Sequence, residues 1–165
     1  MTTLIVTGAS GLIGSHAIRT LAREFDRVIG IDNNMRAALF GPGGDTRHQR
    51  RLLESQIKQY QHCAIDIRSR AVVLDLFRAF PPDLVVHAAA QPSHDLAAQR
   101  PFDDFDINAV GTMNLLEATR QVNPHCVFVY LSTNKVYGDR PNLLPLTETA
   151  TRWVYANPAD QEGID

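Results

Sequence analysis

Short apolar runs rich in β-branched residues recur along the chain, and each gives way to a stretch whose apolar positions repeat every three or four residues. The first run, Thr3-Leu4-Ile5-Val6, ends abruptly at Thr7-Gly8, which suits a strand buried on both faces. From Leu12 the period changes: Ile13, Ala17, Leu21 and Phe25 fall at helical spacing. Further strands are predicted over 27–31, closed by Asp32, and over 63–66, 84–87 and 127–131. Helices are predicted over 48–59, with Leu53, Ile57 and Tyr60 on one face, over 70–80, stopped by Pro81-Pro82, and over 102–122, with Phe105, Ala109, Met113 and Leu116 in register. The segment 33–47 carries Gly41, Pro42, Gly43 and Gly44 and reads as a loop. Residues 140–165 read as loop or irregular chain.

Strands alternating with helices predict a parallel sheet with right-handed crossovers and helices on both faces. This is an α/β, doubly wound Rossmann sheet with expected order 3-2-1-4-5, filling one domain over 1–165. No segment repeats another in sequence. In such a sheet ligands bind at the carboxyl ends of the strands, where the order reverses between strands 1 and 4. That edge collects residues 8–14, Asp32, Asp66, residues 88–91 and Ser132-Thr133.

The residues at this edge suit a dinucleotide. Gly8 permits a tight turn, Gly11 lets backbone approach a diphosphate, and Gly14 allows the helix to pack close to the strand. With Ser10, Leu12 and Ile13 they open a helix whose unpaired N–H groups and partial positive charge favour an anion. Asp32 with Asn33 stands where a carboxylate accepts hydrogen bonds from adenosine ribose hydroxyls and repels a 2′-phosphate. NAD is thus favoured over NADP, with Arg36 nearby as the residue able to accommodate a phosphate. Asp66 reads either as a partner for the adenine amino group, with Ile67 beside the ring, or as the N-cap of the next helix. Ala88, Ala89 and Ala90 keep the fourth strand end clear for the cofactor's other ribose and nicotinamide, and His87 reads as a core histidine.

Composition narrows the partners. With 16 Lys and Arg against 18 Asp and Glu the formal charge is -2, so no global basic field exists to attract nucleic acid. No apolar run approaches the ~18 residues of a spanning helix, and the start lacks the charged region of a signal peptide, so the expectation is a cytoplasmic, membrane-free protein. Arg47, Arg50 and Arg51 read as a solvated helix face. Cys63 and Cys126 each follow a histidine, but their strands lie on opposite sides of the first strand, so no metal site is expected and both read as buried thiols.

Taken together, Thr-Gly-x-x-Gly-x-x-Gly, Asp32-Asn33, Asp66-Ile67, His87-Ala88-Ala89-Ala90-Gln91, Asn108-x-x-Gly111-Thr112 and Ser132-Thr133-Asn134-Lys135-Val136-Tyr137-Gly138-Asp139 resemble the extended short-chain dehydrogenase/reductases. The last motif and the run from Ile107 to Ala118 most resemble the CDP-paratose (CDP-tyvelose) 2-epimerases. The resemblance covers residues 3 to about 152. It implies an NAD-dependent nucleotide-sugar epimerase or dehydratase that works through a transient keto-sugar, and a homodimer paired through helices. It also implies roles for single residues: Thr133 as hydrogen-bond partner of the reacting hydroxyl, Asn108 as an asparagine that orders the site, and Gln91 and Ser132 beside the cofactor. Gly111, costly in a helix by about 1 kcal/mol relative to Ala, marks a close contact with cofactor or neighbouring backbone.

One part of the family pattern is missing. None of Tyr60, Tyr130, Tyr137 and Tyr155 has a lysine four residues on, and Lys135 is the only lysine in the second half of the sequence. Tyr-x-x-x-Lys would supply the base that takes the hydroxyl proton. The expectation is therefore a chain truncated before its later strands and carboxy-terminal substrate lobe, with negligible epimerase activity. Two other readings stay open: a noncatalytic NAD-binding module whose sheet edge and long helix meet a partner, and a redox-sensing regulator.

Overall fold

The computed structural model describes residues 1–164, apart from the side chains of Asn134 and Lys135. In chain order its first unit, 1–131, contains β1 (Thr3–Thr7), α1 (Leu12–Leu21), β2 (Arg27–Ile31), α2 (Met35–Phe40), α3 (Arg47–Gln56), β3 (Tyr60–Cys63), α4 (Arg70–Ala79), β4 (Leu84–His87), α5 (His94–Gln99), α6 (Pro101–Phe105), α7 (Gly111–Val122) and β5 (Val127–Tyr130). The strands form one parallel sheet in the order β3-β2-β1-β4-β5, the doubly wound arrangement that the alternation predicts.

Successive residues of each central strand feed opposite cores, as the period of two requires. Leu4, Val6, Val28 and Val86 meet Ile18 and Leu53 from α1 and α3. Ile5, Ile29, Ile31 and Val85 meet Val73 and Phe77 of α4 and Leu115 and Ala118 of α7. With both faces covered, β1 is buried at every residue, which is why its run is continuously apolar instead of alternating.

Four expectations are corrected. Residues 33–47 are not a loop: Met35–Phe40 is helical, and the glycines Gly41, Gly43 and Gly44 fall after it, where Pro42–Gly44 makes a single 3-10 turn. The third strand begins at Tyr60, three residues before the expected start, and α3 stops at Gln56. Its register is set by Tyr60, whose ring lies across Gly30 of β2, where any Cβ would collide with it. The face chosen for the long helix is inverted: Phe105 and Met113 are exposed, whereas Ile107, Gly111, Asn114, Leu115, Ala118 and Thr119 are buried. Close approach to the loop after β3 selects Gly111 and Asn114 on that face, and Phe105 and Met113 point outward. Between α6 and α7 that helix also widens into one π turn, Asp106–Val110.

The second unit, 132–164, is not irregular. It holds α8 (Arg140–Leu143), an antiparallel pair β6 (Leu146–Glu148) and β7 (Trp153–Tyr155), and α9 (Pro158–Glu162), whose N-cap Asn157 accepts from the Ala159 N–H. Its hairpin turn is closed by Thr149, which donates to the Arg152 carbonyl oxygen through Oγ1.

Candidate functional site

The carboxyl ends of β1, β2 and β4, with the chain just beyond β3, border a cleft of about 280 Å³. Its floor is the turn from β1 into α1. Gly8 has φ +63°, a conformation open to glycine, and a Cβ there would lie 2.8 Å from the Ala88 carbonyl oxygen. A Cβ on Gly14 would strike the Gly8 carbonyl group. Gly11 is the least crowded of the three, its Cβ position 3.1 Å from the Gly8 oxygen. Gly8 and Gly14 are therefore demanded by the protein's own packing, and Gly11 leaves backbone open toward the cleft. Gly11 is also the N-cap of α1, no side chain caps the helix, and no acidic residue occupies its first turn. Leu12 and Ile13, both exposed, line the cleft. An uncapped helix start of this kind is suited to an anion.

Asp32, at the end of β2, is held by backbone on both oxygens: Oδ2 accepts the Ser10 N–H at 3.0 Å and Oδ1 the Asn34 N–H at 2.8 Å. Each oxygen keeps a lone pair for a further donor in the cleft. Ser10 thus touches this site through its amide. Asn33 and Arg36 also line the cleft, with the Arg36 guanidinium 5.2 Å above the Phe40 ring.

Beyond β3, Asp66 and Ile67 line the cleft. Asp66 is not an N-cap, since Ser69 holds that position of α4. Its carboxylate instead receives Arg68 through Nε and Nη2, the latter at 2.7 Å, and that hydrogen-bonded guanidinium holds its pKa below the usual carboxylate value. Gly111 does meet a neighbour closely, but the neighbour is a side chain: its Cβ position lies 2.6 Å from Ile67 Cδ1.

Ala88, Ala89 and Ala90 form the wall beyond β4. Gln91 and Asn108 brace that wall from behind. Asn108, in the π turn, accepts the Gln91 N–H through Oδ1 at 2.9 Å and donates through Nδ2 to the Gln91 carbonyl oxygen and to Asp104. The buried Gln91 amide is engaged by Ser93 and Asp104. His87 is 2% exposed, and burial pushes its pKa down to about 4. Ser132 and Thr133 begin the second unit, and both are exposed there. The side chain of Lys135 lies outside the described residues.

Met35, Leu39, Phe40 and Thr46 also line the cleft and were missed in the sequence. Met35 and Leu39 stand four residues apart, as do Arg36 and Phe40, which is a helical signal that the glycines behind it obscure. Asn34, at φ +57°, locks this segment: its Oδ1 accepts both the N–H and the hydroxyl of Thr46.

A glycine turn, an uncapped helix start and an acid beside them are what a dinucleotide requires, and known proteins agree. Residues 4–158 match the model of the NAD dependent epimerase/dehydratase family. The chain is 36% identical over 151 residues to CDP-paratose 2-epimerase of Salmonella typhi, covering 91% of this chain and 42% of that protein. Among solved structures it resembles WbmH of Bordetella bronchiseptica in complex with NAD⁺ (TM-score 0.65, 30% identity, 84% of this chain and 41% of that one). It also resembles UDP-glucose 4-epimerase of Thermus thermophilus in complex with NAD (TM-score 0.58, 34% identity, 73% and 34%). The chain thus spans between about a third and two fifths of the length of these relatives. The match runs through every strand of the sheet and all the residues that border the cleft, and on that ground the chain belongs to the NAD-dependent epimerase/dehydratase family, with NAD as its cofactor.

Proposed function

We propose that this chain is the NAD-binding part of a nucleotide-sugar epimerase similar to CDP-paratose 2-epimerase, acting through a transient keto-sugar. The observation that carries the reading is the cleft itself. The open start of α1 would take the diphosphate, Asp32 the adenosine ribose hydroxyls, and Asp66 and Ile67 the adenine. Ala88, Ala89 and Ala90 leave room for the second ribose. When bound, NAD supplies reversible hydride transfer. The chain's own part is to hold that group against its backbone, with Thr133 as hydrogen-bond partner for the sugar hydroxyl.

The identity to CDP-paratose 2-epimerase over 91% of the chain supports a CDP-sugar as substrate. UDP-glucuronate and UDP-glucose 4-epimerases at 33% to 36% identity support the wider class. The residue that would move the hydroxyl proton is missing, because no tyrosine in the sequence is followed by a lysine four residues on. That favours a second reading for the chain by itself, a noncatalytic NAD-binding module. Among the described residues no helix is long and apolar enough to cross a membrane, in keeping with a cytoplasmic address.

One experiment tests both parts. Purified protein is denatured and the supernatant assayed for NAD(H), and folded protein is titrated with NAD⁺ and offered CDP-sugars. Release or saturable binding of NAD with no turnover is expected. Neither release nor binding would end the cofactor assignment, and measurable epimerisation would refute the view that this sequence lacks its base.

A further inference from the structure

His87, at the end of β4, lies between two threonines distant in sequence. Its Nδ1 is 2.6 Å from Thr7 Oγ1 and its Nε2 is 2.8 Å from Thr112 Oγ1. A neutral imidazole can carry its proton on either nitrogen, but here the neighbours decide. Thr112 has one hydroxyl proton and gives it to the Asn108 carbonyl oxygen, 2.6 Å away. Toward His87 it can only accept, so the proton sits on Nε2 and Nδ1 is bare. Thr7 must then donate to Nδ1, while its oxygen accepts the Ala89 N–H at 3.1 Å. Every role in the chain is fixed: Ala89 N–H to Thr7, Thr7 to His87, His87 to Thr112, Thr112 to the Asn108 carbonyl.

One end of that chain is part of the cleft and the other supports it. Thr7 directly precedes Gly8, Ala89 belongs to the wall opposite, and Asn108 lies in the π turn that braces the wall through Gln91. π turns inside helices are rare and concentrate at functional sites, and this one presents its carbonyl to Thr112. The imidazole is enclosed by the rings of Phe128 and Tyr130, with centroids 6.1 Å and 5.7 Å away. Tyr130 is the titratable group among these neighbours, and no charged group contributes to the histidine's lowered pKa. An apolar side chain in its place would leave the buried Thr7 hydroxyl proton without its acceptor and take from the Thr112 oxygen its donor from β4.

We infer that His87, as the neutral Nε2–H tautomer, is a positioning residue for the dinucleotide: it fixes the glycine turn after β1, the alanine wall after β4 and the π turn in one arrangement, so the cofactor meets a preformed cleft. This rests on the NAD reading of the cleft. It assigns Thr7 and Thr112 to the same device, although neither lines the cavity.

Two measurements test it on the whole chain. In ¹⁵N NMR of the imidazole, the wild-type protein should report Nε2 protonated and Nδ1 bare throughout about pH 6 to 8. In NAD⁺ titrations, run beside unfolding curves, Thr7→Val and Thr112→Val should each weaken binding by about tenfold, the loss expected for one stranded buried group. Thr7→Ser and Thr112→Ser keep the hydroxyls and should stay within about threefold of wild type. Valine variants that lose stability yet bind NAD⁺ as well as wild type would reduce His87 to a structural residue and overturn the inference. The Nδ1–H tautomer with normal NAD⁺ binding would overturn it alone. If a valine variant does not fold, the tautomer and the serine variants decide, and serine variants that weaken binding tenfold would count against it. Wild-type protein that binds no NAD⁺ would remove the cofactor reading and this inference together, whatever tautomer it shows.

Discussion

The burial of His87 makes a prediction about stability. In the unfolded chain this imidazole titrates near 6.5, and in the fold its pKa lies at about 4, so between those values the unfolded state binds a proton that the native state refuses. Stability contributed by the neutral form is complete above about pH 6.5 and is lost as pH falls toward 4. The difference is worth about 3 kcal/mol at 1.36 kcal/mol per pKa unit. Urea unfolding at a series of pH values should show wild-type protein losing about that much more stability than His87→Gln between neutral pH and pH 4. Asp66 and Glu117, whose pKa values are lowered by hydrogen bonds from Arg68 and Arg120, add acid sensitivity of their own. The variant shares theirs, so the subtraction isolates the histidine, and parallel curves for the two proteins would contradict the assignment. The sequence reading of His87 as a core histidine holds, but the partners of its ring were not legible there. Its partners Thr7 and Thr112 stand 80 and 25 residues away, and only the fold brings the three together.

At the scale of elements, what could be read was whatever depends on local period and on the chemistry of a single turn. The strand order, the glycine turn and the placement of Asp32 follow from runs of β-branched residues and from Gly8, Gly11 and Gly14, whose spacing is a signal carried within one segment. What escaped depends on a neighbour. The start of β3 is decided by Tyr60 lying on Gly30, and the buried face of α7 by how closely it approaches the loop after β3. There Asn114 donates to the carbonyl oxygens of Ile67 and Arg68, each at 3.0 Å, and Gly111 leaves no room before Ile67. This contact carries its own prediction. Gly111→Ala gains about 1 kcal/mol of helix propensity but drives a methyl group against Ile67 Cδ1, which can yield only by shifting beside the cleft. The variant should fold and bind NAD⁺ several-fold more weakly, and Gly111→Ala should cost less when Ile67→Ala, which removes both Cδ1 and Cγ1 from the contact, is already present, a coupling that a double-mutant cycle reads directly. Additive effects of the two substitutions would mean that Gly111 and Ile67 do not act on each other.

For the molecule as a whole, the inverted helix face bears on assembly. The large side chains whose spacing placed them on the core face of the 102–122 helix stand outside, Phe105 61%, Met113 61% and Leu116 43% exposed, and Phe102 beside them is 84% exposed. They follow one another at helical spacing across the π turn, so they form a stripe along one side of α6 and α7 and not a scatter of single exposed residues. A stripe of this kind is costly to leave in water, at roughly 25 cal/mol for each Å² of apolar surface, and a second copy of the same stripe would cover it through a two-fold, self-complementary contact. We therefore expect the protein to sediment as a dimer at micromolar concentration. Phe105→Glu combined with Leu116→Glu should convert it to a folded monomer, because two like charges would face their own copies across the axis. Those residues do not border the cleft, so the monomer should still bind NAD⁺. Wild-type protein that sediments as a monomer at tens of micromolar would refute the expectation, and a charge-bearing variant that stays dimeric would place the contact on another surface.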